Sequence, residues 1–341
     1  YKRQDKELSK EMTLKYINKI HDVFTPPFNL AGDEYQVNFT IGIVLFNDID
    51  VSAYDLLKRA ETAMYEAKKS ARGTSQFYQS SMSQETHEML MLENNMHKAM
   101  ANDEFIVYYQ PQLDMQQNKI IGAEALIRWN HPKKGFISPG LFIPIAEESG
   151  TIIKLEEWII DKALSEIKDL SQRMSGFMLD HIAINISTVH FLQPHFVEKL
   201  MLQVNKYGVK PEWIELEITE SGLMRNIDDA VKKIKELKNF GFTFAIDDFG
   251  TGYSSLSYLK ELPVDIVKID QSFIMNMHKS KGDATIVEAV IAIAEKFNFK
   301  VLAEGVEDKE TLEALKKLKC DIYQGYYAHK PIPINDFEKL L

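Results

Sequence analysis

The sequence predicts an α/β protein: a closed (β/α)8, TIM-like barrel preceded by a small partial α/β segment. From residue 105 onward, short apolar and β-branched runs alternate with stretches whose apolar residues recur every three to four positions, the pattern of a sheet covered by helices. That alternation fills about 235 residues, the usual size of one barrel. No G-x-G-x-x-G follows its first apolar run, which removes the main support for an open dinucleotide-binding sheet.

The elements are expected in this order. Residues 1–80 form the small segment: a helix over about 3–24, a strand pair within 35–46 (YQVNFTIGIVLF), and a helix over 53–71. That second helix presents Leu56, Leu57, Ala60, Met64 and Ala67 on one face. A segment this short buries little surface alone. Residues 81–101 read as a connecting helix with a Met/Leu packing stripe, and 102–341 as the barrel domain. Barrel strands are expected at 105–110, 119–127, 181–187, 213–219, 242–248, 264–269, 299–304 and 319–325. They are expected to form a parallel sheet, with helices between them such as 231–240, apolar at Val231, Ile234, Leu237 and Phe240.

Composition narrows the functional classes. Apolar residues make up 45% and charged residues 26% of the 341 positions, which is ordinary for a globular protein. A formal net charge of -10 with no basic arm or stripe argues against binding a nucleic-acid polymer through counterion release. A small phosphorylated ligand is compatible, because it needs only local positive charge or metal. Cys320 is the sole cysteine, so disulfides and thiolate zinc clusters are excluded and a reducing cytoplasm fits. No run approaches the roughly 18 apolar residues of a membrane span. The chain opens on Tyr1 rather than methionine, so an anchor or sensor upstream is compatible with it.

The strand ends hold the chemistry. Glu124, Asn185, Glu217, Asp247 with Asp248, Lys268, Glu304 and Gln324 each interrupt or end an apolar run, on seven successive strands. In a barrel those ends converge on one mouth. Any one of them alone reads as a helix cap or a solvated carboxylate. Gathered together they repel strongly unless cations are present. Carboxylates and an amide, without Cys or His, suit hard ions such as Mg²⁺ or Mn²⁺. The adjacent aspartates suggest two ions about 3.5–4 Å apart, as in phosphoryl displacement. Lys268 adds a fixed positive charge that orients water or balances charge on phosphate; otherwise it forms a salt bridge to Asp270 or Glu304. The D-F-G at 248–250 hints at a kinase, but no H-R-D loop or V-A-I-K strand accompanies it.

These residues fall in motifs that resemble the EAL family of cyclic-di-GMP phosphodiesterases. The motifs are YYQP (108–111), GAEALIRWNHP (122–132), FIPIAEESG (142–150), the Asn185 strand, ELEITES (215–221), IDDFGTGYSSLSYL (246–259), VKID (267–270), AEGVE (303–307) and QGYY (324–327). The resemblance runs over about 100–335. It implies a TIM-like barrel that hydrolyses cyclic di-GMP to linear pGpG with two Mg²⁺ or Mn²⁺ ions. It implies metal ligands at Glu124, Asn185, Glu217, Asp247, Asp248 and Glu304, with Lys268 positioning the water. Glu220 corresponds to a glutamate that tethers the loop after the fifth strand, and Gln324 to a residue on the water and phosphate side. Gln110, Leu126 and Arg128 correspond to substrate contacts, and Asp270 and Glu307 to positions near a guanine. A homodimer through the barrel near loop 249–256 is also implied, with that loop coupling the dimer to the second ion. Ala328 and His329 depart from the usual residues at the pocket rim.

Residues 31–80 resemble the second half of a GGDEF, diguanylate-cyclase-like, domain through TIGIVLF (40–46) and LLKRAETAMYEAKKSARG (56–73). GDEYQ at 32–36 stands where that family has a variable hairpin and lacks the glycine pair, so cyclase activity is not expected from this segment. Two other functions suit the barrel. A silent receptor would bind cyclic di-GMP without turnover and signal through the N-terminal segment. A metal-independent hydrolase would use Glu217 and Glu220 as an acid/base pair.

Overall fold

The computed structural model describes all of the chain except residues 1–5, 27, 31–32, 36–38, 47–51, 71–72, 175–178, 225 and 251–258. Two compact units divide it, Tyr1–Asn95 and Met96–Leu341. The division falls inside helix Ser80–Ala101. Among the described residues no helix is long and apolar enough to cross a membrane.

In the first unit, helix Lys6–Phe24 precedes an antiparallel pair, β1 (Phe28–Leu30) and β2 (Asp33–Tyr35). Strand β3 (Ile41–Ile43) runs parallel to β4 (Ser75–Phe77). Among the described residues of 35–46, Tyr35 belongs to β2 and Ile41–Ile43 to β3, which pair with β1 and β4 and not with each other. Helix Ala53–Ser70 packs directly on β3: a Cβ at Gly42 would lie 1.9 Å from the Ala60 carbonyl oxygen. Ala63 and Ala67 form its buried face, whereas Leu57 is exposed. Leu57, expected on that face, is one residue beyond Leu56 and therefore a 100° turn away from it.

The second unit is a closed eight-stranded barrel. Its strands are β5 (Phe105–Asp114), β6 (Ile120–His131), β8 (His181–Asn185), β9 (Ile214–Thr219), β10 (Thr243–Phe249), β11 (Ile266–Ile269), β12 (Lys300–Ala303) and β13 (Ile322–Tyr323). They are ordered β5-β13-β12-β11-β10-β9-β8-β6, and β5–β6 pairing closes the ring. The short strands β7 (Gly135–Ile137) and β14 (Ile332–Pro333) pair antiparallel with β6 and β5.

The expectation of a parallel ring separated throughout by helices needs correction at β5, which is antiparallel to both neighbours. Only residues 115–119 join it to β6, too few for a parallel crossover, which needs about a dozen or more. A tight turn serves instead. Asp114 Oδ1 accepts from the backbone N–H groups of Gln116 and Gln117 at 2.9 and 2.7 Å, and Asn118 adopts a positive φ of 54°. The reversal has a functional consequence: Gln110 falls in register beside Glu124.

Alternation along the strands separates two environments. On β6, Ala123, Ala125, Ile127 and Trp129 are buried on one side, while Glu124, Leu126 and Arg128 share the other. Ala245, Ile266, Leu302 and Ile322 form a buried apolar cluster. Each precedes Asp247, Lys268, Glu304 or Gln324 by two residues, so this cluster is the floor beneath the polar layer. Helix Ile227–Phe240 buries Ala230, Ile234 and Leu237 but leaves Phe240 exposed at its end, before Gly241 at φ 109°.

Candidate active site

Lys268 lies at the centre of the polar layer and is fully buried. Its Nζ is 2.7 Å from Glu217 Oε2, 2.8 Å from Glu304 Oε1, 3.2 Å from Asp247 Oδ1 and 3.8 Å from Glu124 Oε2. The expected ring residue and the alternative salt bridge to Glu304 are thus one arrangement. Asp270 takes another role, capping helix Gln271–Asn276 through the Ser272 N–H at 3.0 Å.

Glu124 is gripped from both sides. Asn185 Nδ2 donates to its Oε1 at 2.6 Å, and Gln324 Nε2 donates to its Oε2 at 2.6 Å. Gln324 Nε2 also lies 3.0 Å from Gln110 Oε1, and Gln110 Nε2 donates to the His329 carbonyl at 3.2 Å. The unusual His329 therefore enters this network through its backbone, and its side chain is exposed.

The electrostatics follow from four carboxylates around one ammonium. Burial alone would lower the Lys268 pKa, but Asp247, Glu124, Glu217 and Glu304 more than offset it and hold the amine protonated. Burial raises Glu217 well above the carboxylate range, with Glu124 adding to the shift against Lys268. Glu304 is pushed up to about 7 by burial, opposed by Lys268 and reinforced by Asp247. Glu217 Oε1 and Gln324 Oε1 are buried and have no hydrogen-bond partner among the described residues.

At the end of β10, pairing with β11 is irregular between Ile246 and Phe249, and Asp248 takes a left-handed φ of 56°. This irregularity allows Asp247 and Asp248, which would point to opposite faces in a regular strand, to approach one site. Burial, then Asp247 and Asp270, raise the Asp248 carboxyl. Glu220 opens the short helix Glu220–Leu223, and its Oε2 accepts from Gly250 N at 3.5 Å. The dimer expectation attaches to 249–256, of which residues 251–256 lie outside the described residues.

At the rim, Arg128 donates to the Ile127 carbonyl at 2.8 Å and lies 5.8 Å from the Tyr108 ring centre. Burial lowers its pKa, with Glu124 opposing. Leu126 lies between Glu124 and Arg128 on the same face of β6 and is half-buried. Glu307 is exposed. Cys320 is buried, and burial pushes its thiol up to about 12, which leaves no nucleophile there.

Among the described residues, no three acidic or histidine side chains stand placed to hold one ion; the Lys268 ammonium occupies the point on which they converge. The donor chemistry nevertheless fits hard cations. Four carboxylates face one positive charge, Glu217 keeps an oxygen without a hydrogen-bond partner among the described residues, and Asn185, with its Nδ2 donated, has its amide oxygen left to offer.

Two features escaped the sequence reading. Glu215, two residues before Glu217, is fully buried with both oxygens unpartnered among the described residues and His181 Nε2 at 3.7 Å. Its period-two spacing from Glu217 was the available signal. A cavity of ≈ 690 Å³, lined by Glu215, His181, Asp180, Asp265 and Asp321 among others, opens at the beginnings of the strands. It is at the opposite end from the polar cluster and contains none of the expected site residues.

Known proteins place this arrangement. Residues 4–74 match the family model for the diguanylate cyclase, GGDEF domain, and residues 93–331 that for the EAL domain. The chain is 35% identical over 308 residues to the bifunctional diguanylate cyclase/cyclic di-GMP phosphodiesterase MucR of Pseudomonas aeruginosa, covering 90% of this chain and 44% of that protein. It is 34% identical over 314 residues to the cyclic di-GMP phosphodiesterase PdeR of Escherichia coli, covering 92% and 47%. It spans less than half the length of these relatives. A solved structure described as PaMucR phosphodiesterase in complex with c-di-GMP superposes with a TM-score of 0.70 at 35% identity, covering 72% of this chain and 99% of that one. With the barrel, its ring of acids and the match over 93–331 in agreement, the chain belongs to the EAL domain family.

Proposed function

We propose that this chain is a metal-dependent phosphodiesterase that hydrolyses cyclic di-GMP to linear 5′-pGpG in bacterial second-messenger signalling. The observation that carries this is the cluster of Glu124, Glu217, Asp247 and Glu304 around the buried Lys268, one positive charge for four carboxylates. Relatives named for the same activity, and a structural neighbour described with that ligand, support the substrate.

Glu124, Asn185, Glu217, Asp247, Asp248 and Glu304 would hold two Mg²⁺ or Mn²⁺ ions. When bound, such ions polarise a phosphodiester and lower the pKa of an attacking water. The protein's own groups do the rest. Lys268 is held protonated, so it donates a hydrogen bond and balances charge developing on phosphate; it cannot act as a base. Gln324 fixes Glu124 through Nε2 and keeps a buried Oε1 without a hydrogen-bond partner among the described residues, an acceptor that can orient the water. Attack in line on phosphorus breaks the bond to the 3′ oxygen, which leaves with a proton, and the product keeps a 5′ phosphate. Arg128 supplies rim charge for a phosphate, with Gln110 and Leu126 beside it; Asp270 and Glu307 would face a guanine. Glu220 would steady the loop after β10 through Gly250.

A homodimer near loop 249–256 belongs to the same reading. Activity per chain should fall as dilution dissociates it, and constant specific activity through dissociation would contradict the coupling. The activity itself is tested by replacing Arg128 with Ala, which should raise KM for cyclic di-GMP about tenfold with little change in kcat, the mark of lost ground-state binding. An unchanged KM would remove Arg128 from the phosphate site.

A further inference from the structure

Asn185 ends β8, and its position against Glu124 depends on how the chain leaves that strand. Residues 187–193 form the exit, a short loop that includes helix Thr188–Phe191. Two buried charges from flanking helices hold it. Glu156, on helix Ile152–Arg173 and only 4% exposed, accepts from the Ser187 backbone N–H through Oε1 at 2.8 Å and contacts His190 Nδ1 through Oε2 at 2.9 Å. Lys233, 8% exposed, donates to the carbonyls of Phe191 and Gln193 at 2.9 and 3.1 Å, and pairs with Asp229 at 2.9 Å.

The negative charge thus sits at the start of the short helix and the positive charge at its end, the arrangement its exposed N–H and C=O groups favour. His190 is buried, and its Nε2 has no partner among the described residues. The ring's orientation therefore rests on Glu156 and on edge contact with Phe196 at 4.9 Å. On the inner side, Ile186 N–H donates to the Glu217 carbonyl at 2.8 Å, which ties the same exit to the strand carrying Glu217.

We propose that Glu156 is a positioning residue: together with Lys233 it clamps the 187–193 loop from outside the barrel and so fixes Asn185 against Glu124. This rests on the reading of Asn185 as part of the active site. Glu156 itself touches neither substrate nor ions. Removing its carboxylate strips the Ser187 N–H and His190 of their partners and frees the exit of β8. Glutamine restores both contacts, since its oxygen accepts from Ser187 and its amide can donate to Nδ1.

The test uses the ion-free protein first. The Asn185 side-chain amide signal, identified by its loss in Asn185→Asp, should shift and broaden in Glu156→Ala and return in Glu156→Gln. Leu164→Ala, on the same helix and fully buried, should lower Tm without moving that signal. Mn²⁺ titration by calorimetry should then show affinity weakened about tenfold in Glu156→Ala, the scale of losing a group that orients a ligand. An unmoved Asn185 signal in Glu156→Ala, or an equal shift in Leu164→Ala, overturns the clamp. A shifted signal in a protein whose wild type binds no Mn²⁺ upholds the clamp and instead removes the metal reading of the site.

Discussion

Lys268 decides the character of the site at the scale of single residues. A buried ammonium shared by four carboxylates is stable only while the set stays together, because removing one partner strands buried charge. Lys268→Met should lower ion-free stability by about 3–5 kcal/mol and turnover by at least about 100-fold, measured by denaturant titration and nucleotide assay. Near-wild-type turnover would show that the lysine is only a structural counterion. The raised carboxyl of Glu304, about 7, gives a second prediction. Its folded state holds a proton more tightly than the unfolded chain does, so its contribution to stability is fully present below the unfolded value and is lost as pH rises through about 7. In chelator, the barrel's Tm should therefore fall from roughly pH 5 to roughly pH 8. Added Mn²⁺ should raise Tm more at the upper end. A Tm gain independent of pH would mean that the ion does not displace this proton.

Strand ends are the elements that carry the chemistry, and most of them were legible. An apolar run broken by a charged side chain marks both a strand and its mouth end, which is why Glu124, Glu217, Asp247, Lys268 and Glu304 are legible in the sequence. The direction of β5 could not be read, because side-chain alternation is the same in parallel and antiparallel strands; only the five residues of 115–119 hinted at it. Glu156 was also hidden, since a glutamate on an amphipathic helix reads as a solvated face until Ser187 and His190 are seen against it. The left-handed Asp248 adds a prediction. Asparagine tolerates that conformation, so Asp248→Asn should keep stability and lose turnover. A β-branched residue does not tolerate it, so Asp248→Val should also cost about 1–3 kcal/mol. Equal denaturation midpoints for the two variants would contradict the strain at this position.

At the scale of the whole molecule, the barrel carries the full ring of polar groups, whereas the first unit is a short α/β segment matching part of a GGDEF domain over residues 4–74. The proposed catalysis therefore belongs to the unit Met96–Leu341. The difference between an enzyme and a silent receptor turns on whether the ring converts its ligand or only holds it. The direct measurement is nucleotide chromatography after incubation with cyclic di-GMP, with and without Mg²⁺ or Mn²⁺, for wild type and Glu124→Gln. Linear pGpG should accumulate only with wild type and only with a divalent ion. Cyclic di-GMP recovered intact from wild type under both metals would contradict the assignment.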